Sequence, residues 1–137
     1  DADASQEPLF LAVCANDPRA IKTLVRTHGR KVDMWCKPPD VKMTPLHLGC
    51  RHGDDSRLAC VEALCSNGAD VNKLTDDIEH PGSMAAHVAV YENNIGCLRV
   101  LVQHGADLDA AGCGGMTLAC IAARDGFLEI LRFLHSR

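Results

Sequence analysis

The stretch that most constrains this chain is residues 44–72. It reads Thr44-Pro-Leu-His-Leu-Gly-Cys-Arg-His-Gly53 and runs on to Asn67-Gly-Ala-Asp-Val-Asn72. The Thr44 hydroxyl suits a helix cap, and Pro45 suits the first helical position, where no backbone N–H partner is needed. A short apolar helix follows and stops at Gly53. A second, from about Ser56, carries Leu58, Val61, Leu64 and Cys65 at helical spacing. Gly68 supplies the left-handed residue that ends it.

The same helix–turn–helix pattern recurs. Its starts align at Glu7, Thr44, Met84 and Thr117, which divides residues 1–137, read as one domain, into units 7–43, 44–83, 84–116 and 117–137. The first unit carries Ile21, Leu24 and Val25 on its second helix. The third has Cys97-Leu-Arg-Val-Leu-Val102 and then Gly105-Ala-Asp-Leu-Asp109, and the fourth has Phe127-Leu-Glu-Ile-Leu-Arg-Phe-Leu134. The turn between the paired helices requires a residue that tolerates positive φ. The aligned positions are Asn16, Gly53, Asn93 and Gly126, and Gly and Asn enter that region cheaply.

The Thr-Pro-Leu-His and Gly-Ala-Asp-Val-Asn strings, in this order and separation, resemble an ankyrin repeat, whose period is about 33 residues. The resemblance covers Glu7–Arg137. It implies an all-α ankyrin-repeat solenoid of four stacked helix–turn–helix units joined by hairpin loops. The first two units depart from the period through extra residues around Asp54–Arg57, at Met34–Lys42 and at Lys73–Ser83, all in loops. Lengthening a loop costs only ~0.6 kcal/mol per doubling. Phe10, Ala86 and Cys120 break the four-residue string in the other units, although the third keeps its histidine as His87.

Composition narrows the function. Apolar content is 47% with 4% aromatic, which suits packed helices of Ala, Leu, Val and Cys. A net charge of −4 gives no general basis for gripping a phosphate backbone. Of eight cysteines, Cys14, Cys50, Cys60, Cys97 and Cys120 fall in apolar helical runs. There Cys behaves as a small hydrophobe, so buried free thiols are expected, above all at Cys50, Cys60, Cys97 and Cys120. That points to the cytosol, with the nucleus as the other reducing compartment. No apolar run reaches membrane length. The chain opens on a polar stretch without Met, and its last helix is apolar on two faces. It reads as a piece of a longer protein.

His47, Cys50 and His52 lack the second ligand pair of a zinc site. Pairing Cys50 with His87 as nucleophile and base leaves no third orienting residue. The resemblance gives His47 a different task, hydrogen bonding between adjoining turns. Neither a metal, a cofactor nor a catalytic residue is therefore assigned. The acidic loop Asp76–His80 reads as a solvated hairpin or a contact for a basic partner. Trp35 reads as a ring folded onto the stack or a binding anchor.

The resemblance implies a non-catalytic module that binds a protein or peptide along its concave side, with no nucleic acid, membrane or small-molecule substrate. The alternative is a substrate-recruiting or autoinhibitory segment of a multidomain enzyme, such as a ubiquitin ligase or kinase regulator. Carried onto this sequence, the ends of the first helices are Cys14–Ala15, Arg51–His52, Tyr91–Glu92 and Arg124–Asp125. The hairpin tips are Asp40 and Met43, His80 and Ser83, and Cys113 and Met116. Of these, Asp40, Met43, Arg51, His52, His80, Ser83, Tyr91, Glu92, Arg124 and Asp125 make up the expected partner strip, with Tyr91 as an exposed aromatic anchor. The resemblance also implies asparaginyl hydroxylation at Asn72, with Leu64 eight residues earlier as the preferred context. The local reading is that Asn72 ties down its own hairpin.

Overall fold

The computed structural model describes residues 8–28, 44–51, 57–74 and 82–137. Within them lie eight α-helices and no strand. They are α1 (Pro8–Cys14), α2 (Pro18–His28), α3 (Pro45–Cys50), α4 (Leu58–Ser66), α5 (Ala85–Tyr91), α6 (Ile95–Gln103), α7 (Leu118–Asp125) and α8 (Leu128–His135). Each odd helix packs on the even helix after it. The odd helices also form one continuous row, and α2, α4 and α6 form a second. This is the expected all-helical solenoid of paired units. Trp35, Asp40, Met43, His52, His80 and the loop Asp76–His80 lie outside the described residues.

Local chemistry accounts for the helix ends. Thr44 accepts from His47 N–H and Thr117 from Cys120 N–H, both as N-caps, and Asn94 Oδ1 accepts from Cys97 N–H at 3.1 Å. At the other end of α4, Ala69 N–H reaches Leu64 O at 3.1 Å and Gly68 N–H reaches Cys65 O at 3.2 Å. Gly68 sits at φ 94°. That double closure is the Schellman arrangement, and it needs a left-handed residue at its centre. Gly105, at φ 93°, repeats it after α6. Arg57, just before α4, donates from Nε to Val13 O at 2.9 Å and from Nη2 to Cys14 O at 2.8 Å. One guanidinium thus ties the C-terminus of α1 to the start of α4. It caps the Cys14 carbonyl and adds a second donor to the Val13 carbonyl, which also accepts from Asn16 N–H at 3.0 Å.

The core runs along the stack through Val13, Ile21, Leu46, Leu64, Leu98, Leu101, Ile121 and Ile130, all fully buried or nearly so. Each such side chain contributes about 1.5–3 kcal/mol by leaving water. First-helix side chains face one of two neighbours. Leu46 and Ala86, His47 and His87, and Cys50 and Val90 are buried, whereas their equivalents Ala119, Cys120 and Ala123 in α7 are exposed. These positions face the following unit. Position Leu11, Leu48, Val88 and Ile121 faces the preceding one, and its exposure falls from 52% at Leu11 to 0% at Ile121. The expectation that Cys120 is a buried thiol is therefore wrong. Its position is a buried one only where another helix pair lies against it, and among the described residues none does.

Two buried histidines hold the hairpins to the helices. The Thr44 backbone N–H and hydroxyl approach His47 Nδ1 at 3.2 and 2.7 Å, so Nδ1 is the acceptor. The ring proton then sits on Nε2, which donates to Lys73 O at 2.9 Å. His87 repeats this, accepting from Met84 N–H at 3.2 Å and donating to Ala110 O at 3.0 Å. Gly112 lies against the His87 ring, where an added Cβ would come within 2.7 Å of a ring atom.

Burial lowers the His87 pKa from 6.5, because desolvation disfavours the imidazolium. Protonation would also turn Nδ1 into a donor facing an N–H. The unfolded chain then binds more protons, so stability conferred by His87 is complete above about pH 6.5 and falls as pH drops through the lower folded value. Thermal melts across pH 4–8 should show this acid loss in wild type and a smaller one in His87→Gln. Equal acid sensitivity in both would contradict it.

Six described cysteines carry free thiols, with Cys50, Cys60, Cys65 and Cys97 buried and Cys14 and Cys120 exposed. The Cys50 thiol is raised well above its usual value by a hydrogen bond with Cys97 and by burial, and Cys65 is pushed up to about 12 mainly by burial. Cys120 is lowered by the hydroxyl of Thr117, which donates to Sγ at 3.2 Å. Since the thiolate is the nucleophile, native-state alkylation followed by peptide mass spectrometry should modify Cys120 before the buried Cys50, Cys60, Cys65 and Cys97. Cys50 and Cys97 should react only on unfolding, and labelling of either at the rate of Cys120 would refute this ordering.

Candidate functional site

The described turns that end α1, α5 and α7, the first helices of units one, three and four, share one geometry. Asn16 and Asn93 sit at φ 56° and 55°, and Gly126 at 73°. In each turn the residue after this one donates back into the first helix, as Asp17 N–H to Ala12 O at 2.9 Å, Asn94 N–H to Ala89 O at 2.7 Å and Phe127 N–H to Ala122 O at 2.9 Å. Identical turns place equivalent side chains at equivalent points along the stack. The row made by Cys14–Ala15, Tyr91–Glu92 and Arg124–Asp125 is thus a built feature of the fold, and Arg51 holds the aligned position at the end of α3. Apart from Tyr91, every one of these residues is exposed.

The structure draws part of that row together. The Arg124 guanidinium carbon stands 5.9 Å from the Tyr91 ring centroid, within range of a cation–π contact. Arg124 also donates to Asp125 from Nε at 3.1 Å and from Nη2 at 3.3 Å, and Nη1 lies 3.6 Å from Met116 Sδ. The hydrogen bond to Asp125 and its charge raise the Arg124 pKa. Tyr91 is half-buried and packs partly on the core. It is not the fully exposed anchor that its place in the sequence suggests. Its ring edge and the Arg124–Asp125 pair make one patch spanning the third and fourth helix pairs, with Met116 of the intervening hairpin beneath the guanidinium.

Ser83 leaves the strip. It is fully buried, and its Oγ has no hydrogen-bond partner among the described residues. The chain turns inward there to deliver Met84, itself buried, to the start of α5, so a hairpin-tip position in the alignment is an interior position in space. Asn72 also differs from its local reading. Its Oδ1 accepts from Asp107 N–H at 2.9 Å and its Nδ2 donates to Gly105 O at 3.3 Å. It ties two successive hairpins together, while Asp70 Oδ1 closes the local turn by accepting from Asn72 N–H at 2.9 Å. The stapling role of Arg57 had no local signal, because its acceptors lie over forty residues away.

Among the described residues, no group of three or more His, Cys, Asp or Glu side chains could hold a metal ion. None of the described helices is long and apolar enough to cross a membrane.

Comparison with known proteins matches the helix-pair architecture to named relatives. A profile described as ankyrin repeats (3 copies) matches residues 1–75, and one described as ankyrin repeats (many copies) matches 86–135. Protein phosphatase 1 regulatory subunit 27 of Mus musculus is 40% identical over 65 residues, covering 47% of this chain and 42% of that protein. Ankyrin repeat domain-containing protein 53 of Homo sapiens is 33% identical over 98 residues, 67% of this chain and 17% of that one. The nuclear factor NF-kappa-B p105 subunit of Rattus norvegicus is 32% identical over 113 residues, 79% of this chain and 10% of that one. The chain thus matches less than half the length of these relatives. With both profiles falling on the stacked helix pairs, the chain belongs to the ankyrin-repeat family.

Proposed function

We propose that this domain is a non-catalytic protein–protein interaction module that binds a peptide or protein along the ends of its first helices. The observation that carries this reading is the Tyr91–Arg124–Asp125–Met116 cluster. An aromatic ring and a guanidinium already held against each other lose little freedom when a partner docks, and Tyr and Arg are enriched among residues that dominate binding energy. Arg51 and Glu92 extend the strip on the same row, and Asp40, Met43, His52 and His80 extend it in the sequence alignment. The reading requires no cofactor, metal, nucleic acid, membrane or small-molecule substrate. The buried free thiols support a reducing compartment, cytoplasm or nucleus.

A second reading, a recruiting or regulatory segment within an enzyme assembly, is favoured by one observation. A relative at 40% identity is named as a regulatory subunit of a phosphatase. The two readings share the same surface and differ in what the partner does.

Tyr91→Ala should weaken a strip-bound partner by about 2 kcal/mol or more, roughly thirtyfold in Kd. Its stability loss should stay below that of a core truncation such as Leu101→Ala, for which ~2–5 kcal/mol is usual. A quantitative pull-down with wild type, Tyr91→Ala and Arg124→Ala reads this directly. Partners retained equally by all three proteins would sink the assignment.

Asn72 is proposed as a substrate of an asparaginyl hydroxylase. Modification requires the segment to be extended, which breaks the bonds to Gly105 and Asp107. It therefore proceeds through local opening of the hairpins rather than on the closed stack. Incubation with the enzyme followed by peptide mass spectrometry should show a gain of one oxygen at Asn72. No gain under conditions that modify a control repeat would reject it.

A further inference from the structure

A second surface lies on the other row of helices, away from Tyr91 and Arg124. Ala63, Val100 and Phe133 hold equivalent positions on α4, α6 and α8. The side chain grows along this series. Helices α2 and α4 pack together, as do α4 and α6, whereas α6 and α8 are not a closely packed pair. A Phe ring thus stands on α8 at the position that holds Ala two units earlier.

The opening between α6 and α8 is a groove of about 380 Å³ lined by Ile95, Arg99, Glu129, Arg132, Phe133 and Ser136. Ile95 and Phe133 are half-buried and give it an apolar floor. The guanidinium carbons of Arg99 and Arg137 stand 5.8 and 5.0 Å from the Phe133 ring centroid. Arg99, Arg132 and Arg137 are exposed, and the ion pair found among the described residues is Arg124–Asp125, elsewhere. Glu129 is the one carboxylate in the lining. The site is therefore locally cationic on a chain whose net charge is −4.

We propose that this groove docks an acidic peptide segment of a protein partner, with carboxylates on Arg99 and Arg132 and an intervening apolar side chain on Phe133 and Ile95. The guanidinium fork matches a carboxylate with two parallel hydrogen bonds. Contact with the ring restrains Arg99 before the partner arrives, so less freedom is lost on binding. Three cations act on a short acidic segment at close range. A long polyanion such as nucleic acid also meets the negative charge of the rest of the molecule.

The test is fluorescence anisotropy with a labelled short peptide alternating Glu and Leu, titrated with the domain at low and moderate salt. Wild type should bind it, bind the Gln-for-Glu version at least tenfold more weakly, and lose affinity as salt rises. Arg99→Glu/Arg132→Glu should bind at least tenfold more weakly than wild type with an unchanged melting temperature, and Arg99→Gln/Arg132→Gln serves if charge reversal unfolds the protein. Phe133→Leu should weaken binding severalfold by removing the floor and the restraint on Arg99. Tyr91→Ala should bind as wild type does, so this proposal and the first-helix strip stand or fall separately. Equal binding of the Gln peptide, no effect of the arginine variants, or tighter binding to oligothymidine or phosphatidylserine vesicles would overturn it.

Discussion

Each helix pair in this chain has two apolar faces and can bury neither alone. That constraint governs the rest of the structure. Leu46, Cys50 and Val90 are buried because another unit lies against them, while Ala119, Cys120 and Ala123 occupy the same positions in exposed form. Stability in such a stack is carried by neighbour contacts. A residue's environment is then set by its unit's place in the array as much as by its own chemistry.

The hairpins obey a second rule, that buried polar groups must be paired. His47 and His87 each satisfy a backbone N–H at the start of a helix and a carbonyl in the hairpin after that helix pair, using one nitrogen for each. Only a neutral imidazole with its proton on Nε2 can do both. Asn72 continues the same work between successive hairpins. In the fourth unit Cys120 replaces the histidine, and its Sγ receives the Thr117 hydroxyl instead. Paired hairpins and turns leave Arg124 exposed between them, while Tyr91 still packs partly on the core.

Function in this architecture lies in side chains displayed at fixed intervals. On the first-helix row, repeated turns bring Tyr91 and Arg124 from adjacent units within cation–π distance. On the second-helix row, a single large ring at Phe133 forms an apolar floor with arginines around it. The first feature follows from the regularity of the array and the second from a departure from it.

The sequence by itself determined the helix pairs, their order and their turns. Caps, Gly68, Gly105 and the Asn or Gly at each inner turn act over a few residues, and such local preferences can be read without neighbours. The family strings added the stacking, and Arg51, Glu92, Arg124 and Asp125 were legible as exposed residues between packing positions. Tertiary structure decided the rest. It buried Ser83, exposed Cys120, half-buried Tyr91, turned Asn72 toward the next hairpin and gave Arg57 its two carbonyls. Each of these outcomes depends on a group in another unit, tens of residues away in the chain. Local propensity carries no information about that distance, and only the packed stack brings the two ends together.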